Sequence, residues 1–320
     1  MNKVNALMNE YDIKKQDYEK FVQYMETTIK SILDNKNISV HSINSRVKEA
    51  KSLEEKIERK AKYKELSDIT DICGMRIISY FSDDVDNIAK IIEDEFEVDK
   101  INSIDKRKTE DPSKFGYVSL HYVVSLKDER ANLPECEAFR NMKIEIQVRT
   151  ILQHAWAEIE HDLGYKSEGD IPEHVRRSFS RLSGLIELAD EEFVKIKKVL
   201  NEYFKEVTQQ LDSEQNGKIF KIDTTSLNAL IDNEMFINEI QNKCTHRTIN
   251  VRKPGKNFRN LNISKIVEYS SKLGIGTIEE LKEIVLDNFD DWLNTVPDNY
   301  FYFWITTPIL QILNDKDVSQ

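Results

Sequence analysis

Lys143-Ile144-Glu145-Ile146-Gln147-Val148-Arg149-Thr150 alternates strictly between apolar and polar residues. The pattern predicts a strand with Ile144, Ile146 and Val148 on one face and Lys143, Glu145, Gln147 and Arg149 on the other. Taken alone, such a charged face could be a solvated sheet surface. Three other stretches carry chemistry that complements it. Lys48, Ser52 and Lys56 are spaced by four, so on a helix they share one face and offer two ammoniums and a hydroxyl to a triphosphate; an ordinary solvated Lys/Glu helix would look the same. Tyr117, Ser119 and His121 alternate onto one strand face next to Lys114, a set able to stack on and hydrogen-bond a base, or merely to form the polar side of a half-buried strand. Asp71 stands at the mouth of another strand, Met75 to Phe81.

The elements that must position these residues can be read from hydrophobic spacing. Phe21, Tyr24, Met25, Ile29 and Ile32 recur at helical intervals within Tyr11 to Leu33. Val40 to Val47 reads as a strand with Arg46 and Lys48 on one side, followed by a helix from Lys51 to Lys60 that packs through Leu53 and Ile57. A helix from Val85 to Phe96 and a strand from Phe96 to Ile104 come next. The order α, β, α, β, α, β with short connections predicts an α/β (α+β) domain, a mixed sheet of about five strands flanked by helices. Thr150 can cap a helix running to about Leu163. Pro172 to Gln210 holds one or two long amphipathic helices that cover the sheet or serve an oligomer interface. The expected domains are residues 1–211, a linker at 212–224 around Asp212-Ser213-Glu214-Gln215-Asn216-Gly217-Lys218, and a mainly helical module at 225–320. Gly274-Ile275-Gly276 is its clearest turn. Lys243, His246, Arg247, Arg252, Lys253, Lys256 and Arg259 form a basic segment free of Asp and Glu that could contact phosphates.

Composition narrows the classes. The 320 residues carry a net charge of -11, against a chain built mainly to coat nucleic acid. Three cysteines without a CxxC pair fit a reducing compartment. With no apolar run of spanning length and no signal peptide, a cytoplasmic protein without membrane contact is expected. There is no GxxxxGK[ST] loop, which excludes an ordinary P-loop kinase as the template. His154, Glu158 and His161 share a helix face but do not form HExxH, so they are weak metal candidates.

Taken together, Arg46-Val47-Lys48 with Ser52 and Lys56, Asp71-Ile72-Cys73-Gly74-Met75-Arg76, Gly116-Tyr117-Val118-Ser119-Leu120-His121, and Glu145 to Thr150 with His154-Ala155-Trp156-Ala157 and Glu160 to Lys166 resemble the synthetase domain of the RelA/SpoT alarmone family, of the standalone small type. The resemblance implies transfer of the β,γ-pyrophosphoryl group of ATP to the ribose 3′-hydroxyl of GDP or GTP. It implies that Arg46 and Arg76 sandwich the adenine and that Lys48, Ser52 and Lys56 hold the ATP phosphates. It further implies that Asp71 and Glu145 bind Mg²⁺, that Glu145 serves as the base, and that Tyr117 stacks on the acceptor base with Lys114, Ser119, His121 and Gln147 nearby. The chemistry asks for the same parts: cations on the polyphosphate, a carboxylate-held metal and an aligned nucleophile. Only about forty residues precede the first motif, leaving no room for the hydrolase domain of the long enzymes. A homo-oligomer is expected. Two rival readings stay open: the same transfer aimed at the 3′ end of tRNA, with the C-terminal module as antitoxin or sensor, and an inactive nucleotide- or RNA-binding sensor.

Overall fold

The computed structural model describes residues 3–105, 119–164, 172–212, 219–297 and 299–318. Two compact units divide the chain, Met1–Lys195 and Ile196–Gln320. The expected linker lies partly outside the described residues, at 213–218.

In the first unit the elements run α1 (Lys3–Asn35), β1 (Val40–Val47), α2 (Ala50–Lys60), β2 (Cys73–Ser79), α3 (Ser82–Glu95), β3 (Phe96–Val98), β4 (Ile104–Asp105), β5 (Leu120–Leu126), α4 (Asp128–Ala131), β6 (Ile144–Thr150), α5 (Ile151–Gly164) and the first half of α6 (Glu173–Asp212). The strands form a six-stranded mixed sheet in the order β1-β2-β6-β5-β3, with β4 also on β5. Among the described residues of this sheet, β2 and β6 pair in parallel and the other pairs are antiparallel. This is the mixed sheet expected from the sequence. The segment read as one strand from Phe96 to Ile104 is instead two short ones, because Asp99 interrupts it: its carboxylate takes the backbone amides of Ile101 and Asn102 in a turn.

The core lies on one side of the sheet. Cys73, Met75 and Ile77 of β2 and Ile144, Ile146 and Val148 of β6 are all buried, as period-two alternation requires. Helix α1 covers them with Tyr11, Tyr18, Phe21, Met25, Ile29 and Leu33, which recur every three to seven residues along one stripe. Burial of each such side chain contributes ~1.5–3 kcal/mol. Leu53 and Ile57 anchor α2 to the same core, as their spacing predicted. The alternation therefore leaves Arg46, Arg76, Glu145 and Gln147 on the opposite side of the sheet.

Near the end of β6, Thr150 Oγ1 donates a 2.8 Å hydrogen bond to Asp190 Oδ2 on α6. Burial pushes the Asp190 carboxyl up to about 6 from an ordinary 3.8, against the smaller lowering effect of that bond. Because the folded value is the higher one, ionised Asp190 opposes folding: the penalty is full above about pH 6 and gone below the unfolded value. D190N, whose side-chain carbonyl can still accept from Thr150, is expected to be more stable than wild type by up to ~3 kcal/mol at neutral pH. Denaturant titrations of both proteins as pH is lowered should show that gap closing.

The second unit holds the rest of α6, then α7 (Thr224–Asp232), α8 (Glu234–Lys243), β7 (Asn250–Arg252), α9 (Lys256–Lys272), α10 (Ile278–Thr295), β8 (Tyr302–Trp304) and α11 (Thr306–Val318). Its own core gathers Leu230, Phe236, Ile266, Leu281, Phe289 and Ile309. Gly274 takes φ of 70° in the turn after α9, a left-handed geometry that favours glycine. The basic segment is largely engaged within the unit. Lys243 pairs with Asp290, Lys253 with Glu234 and Arg259 with Asp232. Arg247 donates to the carbonyls of Leu293 and Val296. Its acidic partners are distant in sequence, which is why the segment reads as uncompensated.

Candidate active site

Strand pairing lines up the polar positions in two rows across the sheet. Arg46 of β1 stands opposite Gly74 of β2, and Gly74 opposite Glu145 of β6. In the adjacent row Asn44 faces Arg76, Arg76 faces Gln147, and Gln147 faces His121 of β5. Residues paired across strands share a face, so the rows make one polar floor from four strands. Glycine in the middle of the first row leaves that part of the floor without a side chain. A cavity of about 130 Å³ sits here, lined by Arg46, Lys48, Asp71, Arg76, Glu145 and Gln147 together with Asn44, Ser45, Gly74 and Met75.

Two carboxylates confront the cations. Lys48 Nζ donates to Asp71 Oδ2 at 2.9 Å, and Lys56 Nζ lies 2.5 Å from Oδ1. Burial alone would raise the Asp71 carboxyl, but the two lysines more than offset it and hold it below its ordinary value. Glu145 is also held below the usual carboxylate range, first by its hydrogen bond to His121, with burial and the charge of Asp71 working against the shift. His121 Nδ1 is 2.9 Å from Glu145 Oε1, and His121 Nε2 is 2.6 Å from Ser119 Oγ. Ser119 is buried, so the three groups form a short polar chain running inward from the cavity.

The positions read from the sequence thus divide into three groups. Arg46, Lys48, Asp71, Arg76, Glu145 and Gln147 converge on one cavity, and Lys56, His121 and Ser119 join it through Asp71 and Glu145. Ser52 sits exposed on α2 and does not line the cavity. Lys114 and Tyr117 lie outside the described residues.

Glu158 on α5 is the contact that spacing did not reveal. Its Oε1 is 3.0 Å from Arg76 Nη1 and 3.3 Å from Arg149 Nη2, with His154 Nδ1 at 3.6 Å. The carboxylate therefore orients the Arg76 guanidinium from the side. Arg149, placed by alternation on the charged face of β6, is only 2% exposed, because α5 packs over that end of the strand. Glu158 and His154 are engaged in this way, and among the described residues no group of three or more His, Cys, Asp or Glu is placed to hold a metal ion. The donor set that remains for a cation in the cavity is the Asp71 and Glu145 pair. With the ATP contact that the resemblance implies for Arg76, E158Q is expected to raise KM for ATP about 3-fold, with kcat little changed, since half-exposed ion pairs contribute ~0.2–1 kcal/mol. Steady-state kinetics with that nucleotide varied would check it.

Residues 45–170 match the family described as the region found in RelA/SpoT proteins. The chain is 30% identical over 189 residues to the GTP pyrophosphokinase YjbM of Bacillus subtilis (strain 168), covering 56% of this chain and 85% of that protein. It is 28% identical over 208 residues to the GTP pyrophosphokinase YwaC of the same organism, covering 62% and 95%. The crystal structure of small alarmone synthetase 1 from Bacillus subtilis superposes with a TM-score of 0.50 at 28% identity, covering 61% of this chain and 99% of the other. A mixed sheet bearing a two-carboxylate, multi-cation cavity is the framework of a pyrophosphotransferase. The chain belongs to the RelA/SpoT family.

Proposed function

We propose that the protein transfers the β,γ-pyrophosphoryl group of ATP to the ribose 3′-hydroxyl of GDP or GTP. The observation that carries this is the convergence of Asp71 and Glu145 with Arg46, Lys48 and Arg76 on one cavity. Arg46 and Arg76, in adjacent rows of the floor, present guanidinium planes on which an adenine can stack. Lys48 and Lys56 meet the phosphates, with Ser52 on the same face of α2. Asp71 and Glu145 fit the Mg²⁺ that comes with ATP, because that ion is commonly held by one or two carboxylates plus substrate phosphates. Bound there, the metal would neutralise charge on the polyphosphate. Glu145 takes the proton of the 3′-hydroxyl as the oxygen attacks the β-phosphorus; the bond from the β-phosphorus to the α,β-bridging oxygen breaks and AMP leaves with that oxygen. The Glu145 carboxylate, ionised at neutral pH and oriented by His121, is suited to accept that proton. Lys114, Tyr117, Ser119, His121 and Gln147 are assigned to the acceptor side.

Offering γ-labelled ATP with Mg²⁺ to GDP, GTP and deacylated tRNA in parallel tests the assignment. Label in a guanine nucleotide is the expected result. Label on tRNA would move the same chemistry to another acceptor, and no transfer to any of them would overturn the proposal. The remaining parts of the reading are a transferase region at 1–211 joined through 212–224 to a helical accessory module at 225–320, a cytoplasmic location and self-association. Three buried, free cysteines support the location. Exposed Leu182, Leu185 and Leu188 on α6 support self-association, which sedimentation would measure.

A further inference from the structure

Asp190 is buried to 3% exposure, yet only one of its oxygens is used: Oδ2 accepts from Thr150, while Oδ1 is buried with no hydrogen-bond partner. An ionised carboxylate oxygen in that position loses its hydration and gains nothing in return. Asp190 also lines a cavity of about 230 Å³ in the first unit, with Gln153 and Trp156 of α5 and Ser183, Glu187 and Glu191 of α6. That is far more than the ~10–15 Å³ a single water needs. Among the described residues lining it, three are carboxylates and none is Lys, Arg or His. The upward displacement of Asp190 by burial has no opposing contribution from a neighbouring cation.

An occupant that is positively charged and donates a hydrogen bond would meet both deficits. The described residues form no three-ligand metal cluster, and one wall is an indole, fixed by the hydrogen bond of its Nε1 to the Phe179 carbonyl at 3.2 Å. An aromatic wall with an acid at its base suits an ammonium on an alkyl stem better than a hydrated ion. We propose that this cavity binds the protonated end of an aliphatic amine or polyamine, its ammonium at the Asp190 carboxylate and its methylenes against Trp156. Glu187 and Glu191, one helical turn apart and both exposed, draw the cation to the mouth. Thr150, which holds the other Asp190 oxygen, ends the strand that carries Glu145 and Gln147, so an occupied cavity bears directly on β6.

The test uses the full chain with isotope-labelled tryptophan, whose three indoles (Trp156, Trp292 and Trp304) report separately by NMR. Putrescine is the probe, with butanediol as its uncharged counterpart and sodium chloride at matched ionic strength. The Trp156 signal is expected to move saturably with a midpoint at or below ~1 mM. Butanediol and salt should leave it in place. D190N should weaken the response at least ~10-fold, with a denaturant midpoint at or above that of wild type as the sign of an intact first unit. The E187Q/E191Q double variant, altered only at exposed positions, should weaken it about 3-fold. A Trp156 signal that never moves, an equal response to butanediol, or putrescine affinity unchanged in D190N or in the double variant would overturn the proposal.

Discussion

E145Q is expected to lower kcat for pyrophosphoryl transfer by ~10³-fold or more while nucleotide binding stays within a few-fold of wild type. Glutamine keeps the shape of the side chain and can still hydrogen-bond His121, so the floor of the cavity should survive the change. What it removes is the negative charge and the proton acceptor. A proton acceptor is needed only as the 3′-oxygen attacks, so that loss belongs in kcat; the charge would also serve the metal, so binding is compared with metal-free nucleotide. The pH profile supplies a second readout. The hydrogen bond from His121 holds Glu145 below the usual carboxylate range, so the wild-type rate should rise as Glu145 ionises on the acid side and be level with respect to this group by neutrality. E145Q should lack that acid limb. A variant that turned over like wild type, or one that failed because it no longer bound nucleotide, would remove Glu145 from the role of base.

The alternation of β6 and the spacing of Lys48, Ser52 and Lys56 were legible because they are local: period two and period four are written in consecutive residues. Which strands lie next to which is not local. The parallel pairing of β2 with β6 sets Gly74 beside Glu145 across a long stretch of intervening chain, and nothing in either strand announces the other. The sequence could therefore name most of the cavity's residues without showing that Arg46, Gly74 and Glu145 form one row. Glu158 stood in the sequence only as a weak metal candidate beside His154 and His161, for the same reason: its partners Arg76 and Arg149 come from two strands. Asp190 shows the opposite failure. An acid in an amphipathic helix among Glu187, Glu191 and Glu192 looks solvated, and only the packing of α6 beside Thr150 makes it a buried, half-satisfied group. The basic segment of the second unit shows a third limit, since charge without nearby acids in sequence has acids nearby in space.

D71N should separate two roles that one carboxylate combines. In the structure Asp71 sits between Lys48 and Lys56, at 2.9 Å and 2.5 Å, and neutralises both. Under the proposed function a triphosphate entering the cavity would compete with it for the same two ammoniums, and a divalent ion held there would give the carboxylate another partner. Asparagine cannot do either. Without its charge, Lys48 and Lys56 are left as like charges sharing one neutral acceptor, so metal-free nucleoside triphosphate should bind D71N at least as well as wild type. Turnover should nevertheless fall by ~10²–10³-fold, because one of the two carboxylates available to the metal is gone. Raising Mg²⁺ should restore little of it. Stability adds an independent check. Asp71 is held below its unfolded value, so its contribution is present above that value and lost as pH falls through the folded one. D71N should lack that acid-side loss while keeping the contribution of Glu145. Binding by calorimetry without metal, and rates at increasing Mg²⁺, distinguish the outcomes: weaker metal-free binding would mean that Asp71 organises the lysines for phosphate and does not compete with it, and full activity in D71N would remove it from the metal site.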